Sequence, residues 1–171
     1  MTVVPTQRDV ASLSQDGYGS RSKSGNLVLA PIEALYLVEK ERLEVTDERT
    51  REVVSFETLF TLYSSSDELL WNRYLIYKDL RGRGFVIKYV DGAEIGFQVY
   101  ERGSYTKSAP TYYLHAVYEG MEETVGHLGE IIRSLPHGVA LKLAVVDRRG
   151  EIVYYGLRDL DFGRLGPEEG D

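Results

Sequence analysis

The sequence predicts an α+β, or mixed α/β, protein with a small N-terminal α/β domain and a C-terminal domain of order α-β-β-β-α-β-β. Three observations support this. Before residue 84 apolar residues recur mainly at helical spacing, and beyond it the dominant spacing becomes two, as in strands. A run of small polar residues, Ser64 to Asp67, lies within the first pattern. We therefore place the domain division near residue 65, with domains over 1–65 and 66–171.

Two helices dominate the predicted N-terminal domain. Pro31 occupies a first-turn position, where its missing N–H costs nothing, and Ser55 is a suitable N-cap. The region before Pro31 alternates short apolar runs with Gly and Ser, which favours small strands and turns. The predicted elements are strands and turns at 11–30, a helix at 31–42, a short strand at 43–45 and a helix at 55–65.

A helix followed by strands is predicted for the C-terminal domain. Ser66 is a candidate cap for its first helix, and Pro136 with Gly138 ends its second helix. The last strand but one is almost entirely apolar, which is typical of a strand buried on both faces. The predicted elements are a helix at 68–84, strands at 85–90, 94–101 and 111–119, a helix at 122–135, and strands at 139–147 and 151–159.

Composition excludes several classes of function. The chain has 171 residues and no cysteine, so disulfides, Cys-ligated zinc and thiol chemistry are excluded. Its formal charge of −7 makes it a poor candidate for gripping nucleic acid alone, because phosphate neutralisation supplies most of the affinity of such proteins. An acidic surface instead suits a basic protein partner. The 13 tyrosines, against 5 phenylalanines, favour an interface.

The sequence also predicts a cytoplasmic protein. The first ten residues, MTVVPTQRDV, contain no apolar segment of the kind found in secretory signals. No apolar run approaches the roughly 18 residues that a membrane-spanning helix needs. We expect no cofactor and no metal.

Four segments resemble, in order, the archaeal tRNA-splicing endonuclease family. GYGSRSKSGNLVLAPIEALYLVEKERLEV is similar to the family's N-terminal domain, and YLIYKDLRGRGFVIK is similar to the junction that follows it. FQVYERG and LAVVDRRGEIVYY resemble two further signatures. The four segments span 17–45, 74–88, 97–103 and 143–155. Each is weak alone, and together they identify the chain as similar to this family.

The resemblance implies a restriction-endonuclease-like C-terminal domain and a metal-independent reaction. Members of the family cut a bulge–helix–bulge in precursor tRNA, leaving a 2′,3′-cyclic phosphate and a 5′-hydroxyl. The neighbouring 2′-hydroxyl attacks the phosphate, so the reaction needs a base, an acid for the leaving oxygen and a cation for the transition state. A tyrosine, a histidine and a lysine take these roles in the family.

Only one of the three family residues is present here. Tyr100 matches the tyrosine, whereas Pro110 stands at the histidine position and Ala140 at the lysine position. His115 lies five residues after Pro110, about 16–17 Å along a strand, and its odd offset places it on the opposite face from Pro110. Lys142 lies about 6.6 Å beyond Ala140 on the same face. We expect His115 to be a strand histidine and Lys142 a rim residue.

The resemblance therefore implies a structural subunit that assembles with a separate catalytic subunit, in a heterotetramer of two plus two. The chain would act on precursor tRNA only as part of this complex. Two segments are predicted to carry the interface. One is the final strand, through Ile152, Val153, Tyr154 and Tyr155. The other is an acidic loop that would enter a basic cleft, through Glu119, Glu122 and Glu123.

Other interpretations remain open at this stage. The final strand also fits an internal strand of its own domain, and the three carboxylates fit charges at a helix N-terminus. The Arg-Gly run at 81–84 fits either a helix end or an RNA contact. The chain could also be an active endonuclease that uses displaced residues, Tyr100 with Lys142 or His115. A protein-binding module unrelated to RNA is the third hypothesis.

Overall fold

A computed structural model describes the backbone of residues 2–4, 7–90 and 96–157, and the side chains from residue 10 onward. The ends of two predicted strands, 94–95 and 158–159, lie outside the described residues. The elements are β1 (Thr2–Val4), α1 (Gln7–Gln15), β2 (Ser20–Arg21), β3 (Leu27–Leu29), α2 (Pro31–Glu39), β4 (Val45–Thr46), β5 (Val53–Val54), α3 (Phe56–Ser64), α4 (Leu70–Gly82), β6 (Val86–Tyr89), β7 (Phe97–Tyr100), β8 (Tyr112–Tyr118), α5 (Val125–Ser134), β9 (Ala140–Val146) and β10 (Ile152–Leu157).

The C-terminal part is a five-stranded sheet with the predicted element order α-β-β-β-α-β-β, and the mixed α+β class is confirmed. The strand order is β10-β9-β8-β7-β6, and only β8 and β9 run parallel. A parallel pair needs a crossover, which α5 supplies. Helix α4 packs on one face of the sheet within the main apolar core, and α5 packs on the other face in a smaller cluster.

The N-terminal part contains a three-stranded sheet of order β1-β3-β2, a β4-β5 hairpin and three helices. The predicted strands at the start of 11–30 are wrong, because residues 7–15 form helix α1. Leu13 is buried on this helix, and Gly17 ends it with a φ of +82°, which suits glycine. The many Ser and Gly residues around these positions hid the helical spacing. Strand β5 was also not predicted.

The helix caps follow the sequence in two cases of three. Pro31 begins α2, and the Ser55 side chain accepts the Thr58 N–H at 3.2 Å, as predicted. The prediction that Ser66 caps the next helix is wrong. The Asp67 carboxylate accepts the Leu69 N–H at 3.0 Å, while the Ser66 hydroxyl donates back to a carbonyl of α3. Helix α4 itself begins at Leu70, and its N-cap residue Leu69 makes no side-chain cap hydrogen bond. The Asp67 carboxylate therefore holds the turn that precedes the helix.

One continuous apolar core runs through both halves of the chain. Tyr36 of α2 and Tyr77 of α4 meet edge to face, with ring centroids 5.6 Å apart, and Phe56 of α3 lies 5.8 Å from Tyr74. The predicted domain boundary near residue 65 therefore falls between elements that share a core. The division into two domains stays a prediction.

Most of the tyrosines pack in the interior of the chain, which corrects the expectation of a tyrosine-rich interface. Eight of the 13 are buried, four are half-buried, and only Tyr155 is exposed. Several pair with other rings at centroid distances typical of aromatic contacts.

Strand β9 is buried on one face only along most of its length, which corrects the prediction of burial on both. Ala144 and Val146 are 0% and 1% exposed against the α4 side. Leu141 is covered by α5 on the other side, but Leu143 and Val145 on that face are only half-buried. Helix α5 thus covers one end of its face of the sheet. Within the described residues, no helix has the length and apolar content required to cross a membrane.

Candidate functional site

The three positions singled out by the sequence come together at one end of the central sheet. Tyr100 is the last residue of β7, Pro110 lies two residues before β8, and Ala140 is the first residue of β9. Tyr112 of β8 pairs with Val99 on one side and with Ala140 on the other. The fold therefore gathers the three positions on adjacent strands.

Strand register separates Tyr100 from the lysine position. Cross-strand partners share a face, so Val99, Tyr112 and Ala140 point to the same side of the sheet. Successive side chains alternate, so Tyr100 points to the other side. The side chain of a lysine at position 140 would project from the face of the sheet opposite to the Tyr100 ring.

The Tyr100 side chain is packed and retains its proton. Its hydroxyl donates to Gln98 Oε1 at 2.9 Å, and its ring meets the Tyr105 ring edge to face at 5.1 Å. Burial raises the pKa of Tyr100 above its ordinary value of about 10, and the nearby Tyr105 and Tyr113 hydroxyls raise it further. A phenol with a raised pKa is a poor base at neutral pH.

Lys142 is engaged elsewhere on the opposite face from Tyr100. Its ammonium lies 3.8 Å from the centroid of the Tyr112 ring, a cation–π contact. Across the strands Lys142 pairs with Leu114, which in turn pairs with Phe97. The interval from Phe97 to Tyr100 is odd, so Lys142 and Tyr100 point away from each other.

His115 shares the face of Tyr100 but lies far along the sheet. Leu114 pairs with Phe97, which places His115 opposite Gly96, four positions from Tyr100. Four residues of strand span about 13 Å, beyond the reach of a shared proton. His115 is 8% exposed, and its Nε2 lies 2.7 Å from Glu123 Oε2.

Two of the three carboxylates in the acidic loop between β8 and α5 bind partners within the chain. Glu119 accepts the Arg148 backbone N–H at 2.9 Å and pairs with the Arg148 guanidinium at 3.2 Å. Glu123 bonds two histidines. Glu122 is exposed. All three carboxylates precede α5, whose N-cap is Thr124 and whose first turn carries no acid.

Glu123 joins His115 and His127 in a compact cluster. Its two oxygens lie 2.7 Å from His115 Nε2 and 2.7 Å from His127 Nδ1. Burial raises the pKa of Glu123, but the hydrogen bonds and charges of the two histidines outweigh it and leave that pKa below its ordinary value. In the described part of the chain, these three side chains form a group that could hold a metal ion.

Sequence reasoning took Glu123 for an interface residue and His115 for a lone strand histidine. The available signal was the spacing of four residues between Glu123 and His127. It became informative only once the fold brought His115 beside them.

Strand β10 forms one edge of the sheet, with β9 on its inner side. Of the predicted interface residues, Ile152 and Tyr154 are half-buried against the core, and the Tyr154 hydroxyl donates to Asp79 Oδ2 at 2.7 Å. Val153 and Tyr155 point to the other face and are 50% and 52% exposed. The strand therefore divides into an anchored face and an open face.

The open face of β10 continues across the sheet beyond α5. Val153 pairs with Val145, which pairs with Val117 of β8, and the latter two are half-buried. Met121 and Val125, at the nearby start of α5, are 55% and 57% exposed. This apolar surface was not predicted, because the apolar sequence of β9 was interpreted as burial within the chain.

The arginines of the 81–84 run hold the fold together. The Arg81 guanidinium stacks 3.9 Å from the Tyr18 ring centroid and donates to the Asp16 carbonyl at 3.2 Å. Arg83 pairs with Asp79 at 3.0 Å, one helical turn away. These contacts agree with the interpretation of a helix end that carries arginine.

Comparison with known proteins gives a consistent result. Residues 2–60 match the family described as "tRNA intron endonuclease, N-terminal domain". The chain is 31% identical over 159 residues to a protein of Methanococcus vannielii called "tRNA-splicing endonuclease", covering 91% of this chain and 87% of that protein. A protein of the same name from Thermococcus kodakarensis is 32% identical over 160 residues, with 91% of both chains covered.

A third similar protein is longer. The "tRNA-splicing endonuclease" of Methanosarcina mazei is 31% identical over 158 residues, which cover 91% of this chain and 43% of that protein. More than half of its length therefore lies beyond the matched unit.

Proposed function

This chain belongs to the archaeal tRNA-splicing endonuclease family, and from that premise we propose that it is the structural subunit of a hetero-oligomeric enzyme. The complex removes introns at bulge–helix–bulge motifs in precursor tRNA without metal, in the cytoplasm, and leaves 2′,3′-cyclic phosphate and 5′-hydroxyl ends. A separate subunit supplies catalysis, in an assembly of two plus two chains.

The observation that carries the proposal is the set of side chains at the three family positions. Tyr100 is protonated, packed and bonded to Gln98, while Pro110 and Ala140 offer neither an acid nor a cation. Transition-state charge in phosphoryl transfer needs positioned cations and proton donors. A restriction-endonuclease-like domain with these three residues retains the fold but lacks the groups needed for cleavage.

The exposed side of β10 supports a role in assembly. Edge strands can pair with another chain, and Val153 and Tyr155 add exposed apolar area beside that edge. Ile152 and Tyr154 are anchored against the core of their own chain. We assign the partner contact to the edge backbone together with Val153 and Tyr155.

The acidic loop has a narrower role in the proposal. Glu119 holds the turn after β9 and Glu123 holds two histidines, so both shape the loop. Glu122 is exposed and carries the charge that a basic cleft would meet. The net charge of −7 favours such a partner.

The geometry gives no support to an active site built from displaced residues. Lys142 and Tyr100 point to opposite faces, and His115 lies about 13 Å along the sheet from Tyr100. The structural role therefore remains the better proposal.

A reconstitution experiment tests it. The purified chain should leave a precursor tRNA with a bulge–helix–bulge uncut, and addition of the catalytic subunit should restore cleavage to cyclic-phosphate products. Lys142→Ala in the assembled enzyme should leave the single-turnover rate unchanged. Cleavage by the isolated chain, lost in Tyr100→Phe, would overturn the proposal. A chain that binds no endonuclease subunit would favour the unrelated binding module.

A further inference from the structure

We propose that His115, Glu123 and His127 form a zinc site that fastens the loop between β8 and α5 to the central sheet. The ligand atoms of the three side chains all lie within 4.8 Å of one another. Nothing in the proposed splicing role calls for this cluster, so the inference stands apart from it.

The distances between the ligand atoms are close to those around a zinc ion, so metal binding would require only small movements of the side chains. Each carboxylate oxygen of Glu123 lies 2.7 Å from one imidazole nitrogen, His115 Nε2 or His127 Nδ1. Ligands at about 2.0–2.1 Å from a tetrahedral zinc ion lie about 3.3 Å apart. Side-chain rotations that move the ligand atoms by on the order of 1 Å would therefore make room for the ion between them.

The backbone around the cluster is fixed on both sides. His115 lies in β8, a strand paired on both sides, and is 8% exposed. The N–H of His127 donates to the Thr124 cap of α5 at 3.1 Å, and the N–H of Thr124 donates to Glu123 Oε1 at 3.0 Å. Such preorganisation lowers the cost of collecting three ligands around one ion.

The donor set points to zinc. Two imidazoles and one carboxylate are ligands that zinc accepts, with a fourth position open to water. Hard cations such as Mg²⁺ and Ca²⁺ prefer oxygen ligands alone. The cluster lines a cavity of about 260 Å³ together with Met121 and Tyr118, which gives an ion a route to the site.

Calorimetric titration tests the proposal on the full chain after chelator treatment. We expect one Zn²⁺ per chain, and visible absorption typical of tetrahedral nitrogen and oxygen ligation when Co²⁺ replaces it. Glu123→Gln, nearly isosteric, and His127→Asn should each weaken zinc binding by at least about 100-fold, since loss of outer-shell partners alone costs about 10–100-fold. Zinc should also slow amide exchange at residues 119–124.

The third histidine provides the control. His137 is exposed in the connection between α5 and β9, so His137→Asn should bind zinc as the parent chain does. Circular dichroism of each variant checks that it is folded. The proposal is overturned if the parent chain binds no zinc, if Glu123→Gln and His127→Asn bind it unchanged, or if His137→Asn alone loses it.

Discussion

Glu33 shows how one buried charge joins the two halves of the chain. It is 4% exposed, and its Oε2 accepts the N–H groups of Gly19 at 3.0 Å and Ala30 at 2.9 Å. Its Oε1 pairs with Lys88 of β6 at 3.2 Å, and that ammonium also donates to the Gly19 carbonyl at 2.7 Å. One carboxylate thus caps α2 and meets the central sheet.

Glu33→Ala should lower the free energy of unfolding by about 3–5 kcal/mol, because it leaves a partly buried cation and two N–H groups without their acceptor. Chemical denaturation of the folded chain measures the change. Glu33→Gln keeps an acceptor but not the charge, so it should cost less than the alanine variant.

The matched control is an exposed glutamate. Glu130 of α5 is exposed, so Glu130→Ala should change the free energy of unfolding by no more than about 0.5 kcal/mol. Equal losses for Glu33→Ala and Glu130→Ala would contradict the role given to Glu33.

At the scale of elements, the turn between β9 and β10 depends on one aspartate. The Asp147 carboxylate accepts the N–H groups of Glu151 and Arg149, both at 2.8 Å. The Glu151 bond is the largest cause, and together the two bonds hold the pKa of Asp147 below its ordinary value against the opposing effect of burial. The same turn positions β10 for its proposed role at the interface.

The lowered pKa of Asp147 gives a pH dependence of defined sign. Its contribution to stability is present above the unfolded-state pKa of about 3.9 and is lost as the pH falls through the lower folded-state value. The melting temperature of the parent chain should therefore fall more steeply below about pH 4 than that of Asp147→Asn. Parallel slopes for the two proteins in thermal melts would contradict this.

At the scale of the whole molecule, part of one sheet face remains without a covering helix in the described residues. Helix α5 covers the end of the face that holds Tyr113 and Leu141, and Val145 and Val153 lie beyond it. A monomer rarely leaves contiguous apolar area exposed next to an open strand edge. This arrangement supports a subunit that is completed by assembly.

Tyr155→Arg should weaken assembly with the catalytic subunit by at least about 10-fold, because an exposed aromatic ring at an interface centre carries much of the affinity. Analytical ultracentrifugation of the mixture measures the effect. The ring is 52% exposed, so the fold of the chain should be unaffected.

Control variants are compared with Tyr155→Arg in the same assay. Leu62→Arg alters a side chain of α3 that is 63% exposed, and it should leave assembly intact. Glu122→Lys tests the acidic loop in the same assay, with Glu130→Lys as its charge-matched control. If Tyr155→Arg assembles as well as Leu62→Arg, the proposed place of β10 in the interface is wrong.

Local patterns of the sequence were sufficient for most elements. Pro31 and Ser55 mark the helix starts that the structure has, and the change of apolar spacing after residue 84 marks the start of the strands. Helix α1 was missed because Ser12 and Ser14 interrupt its short apolar pattern. Ser66 suits a cap by residue type, but its hydroxyl donates to a carbonyl of α3, and Asp67 holds the turn before α4.

The sequence by itself determined the family, the order of elements in the C-terminal part and the residue types at the three candidate positions, because spacing and residue type are properties of the chain. Only the tertiary structure decided which faces those residues occupy. It turned Tyr100 away from Ala140, joined Glu123 to two histidines and left part of β9 uncovered. Strand register and packing set these relations, and no local pattern contains them.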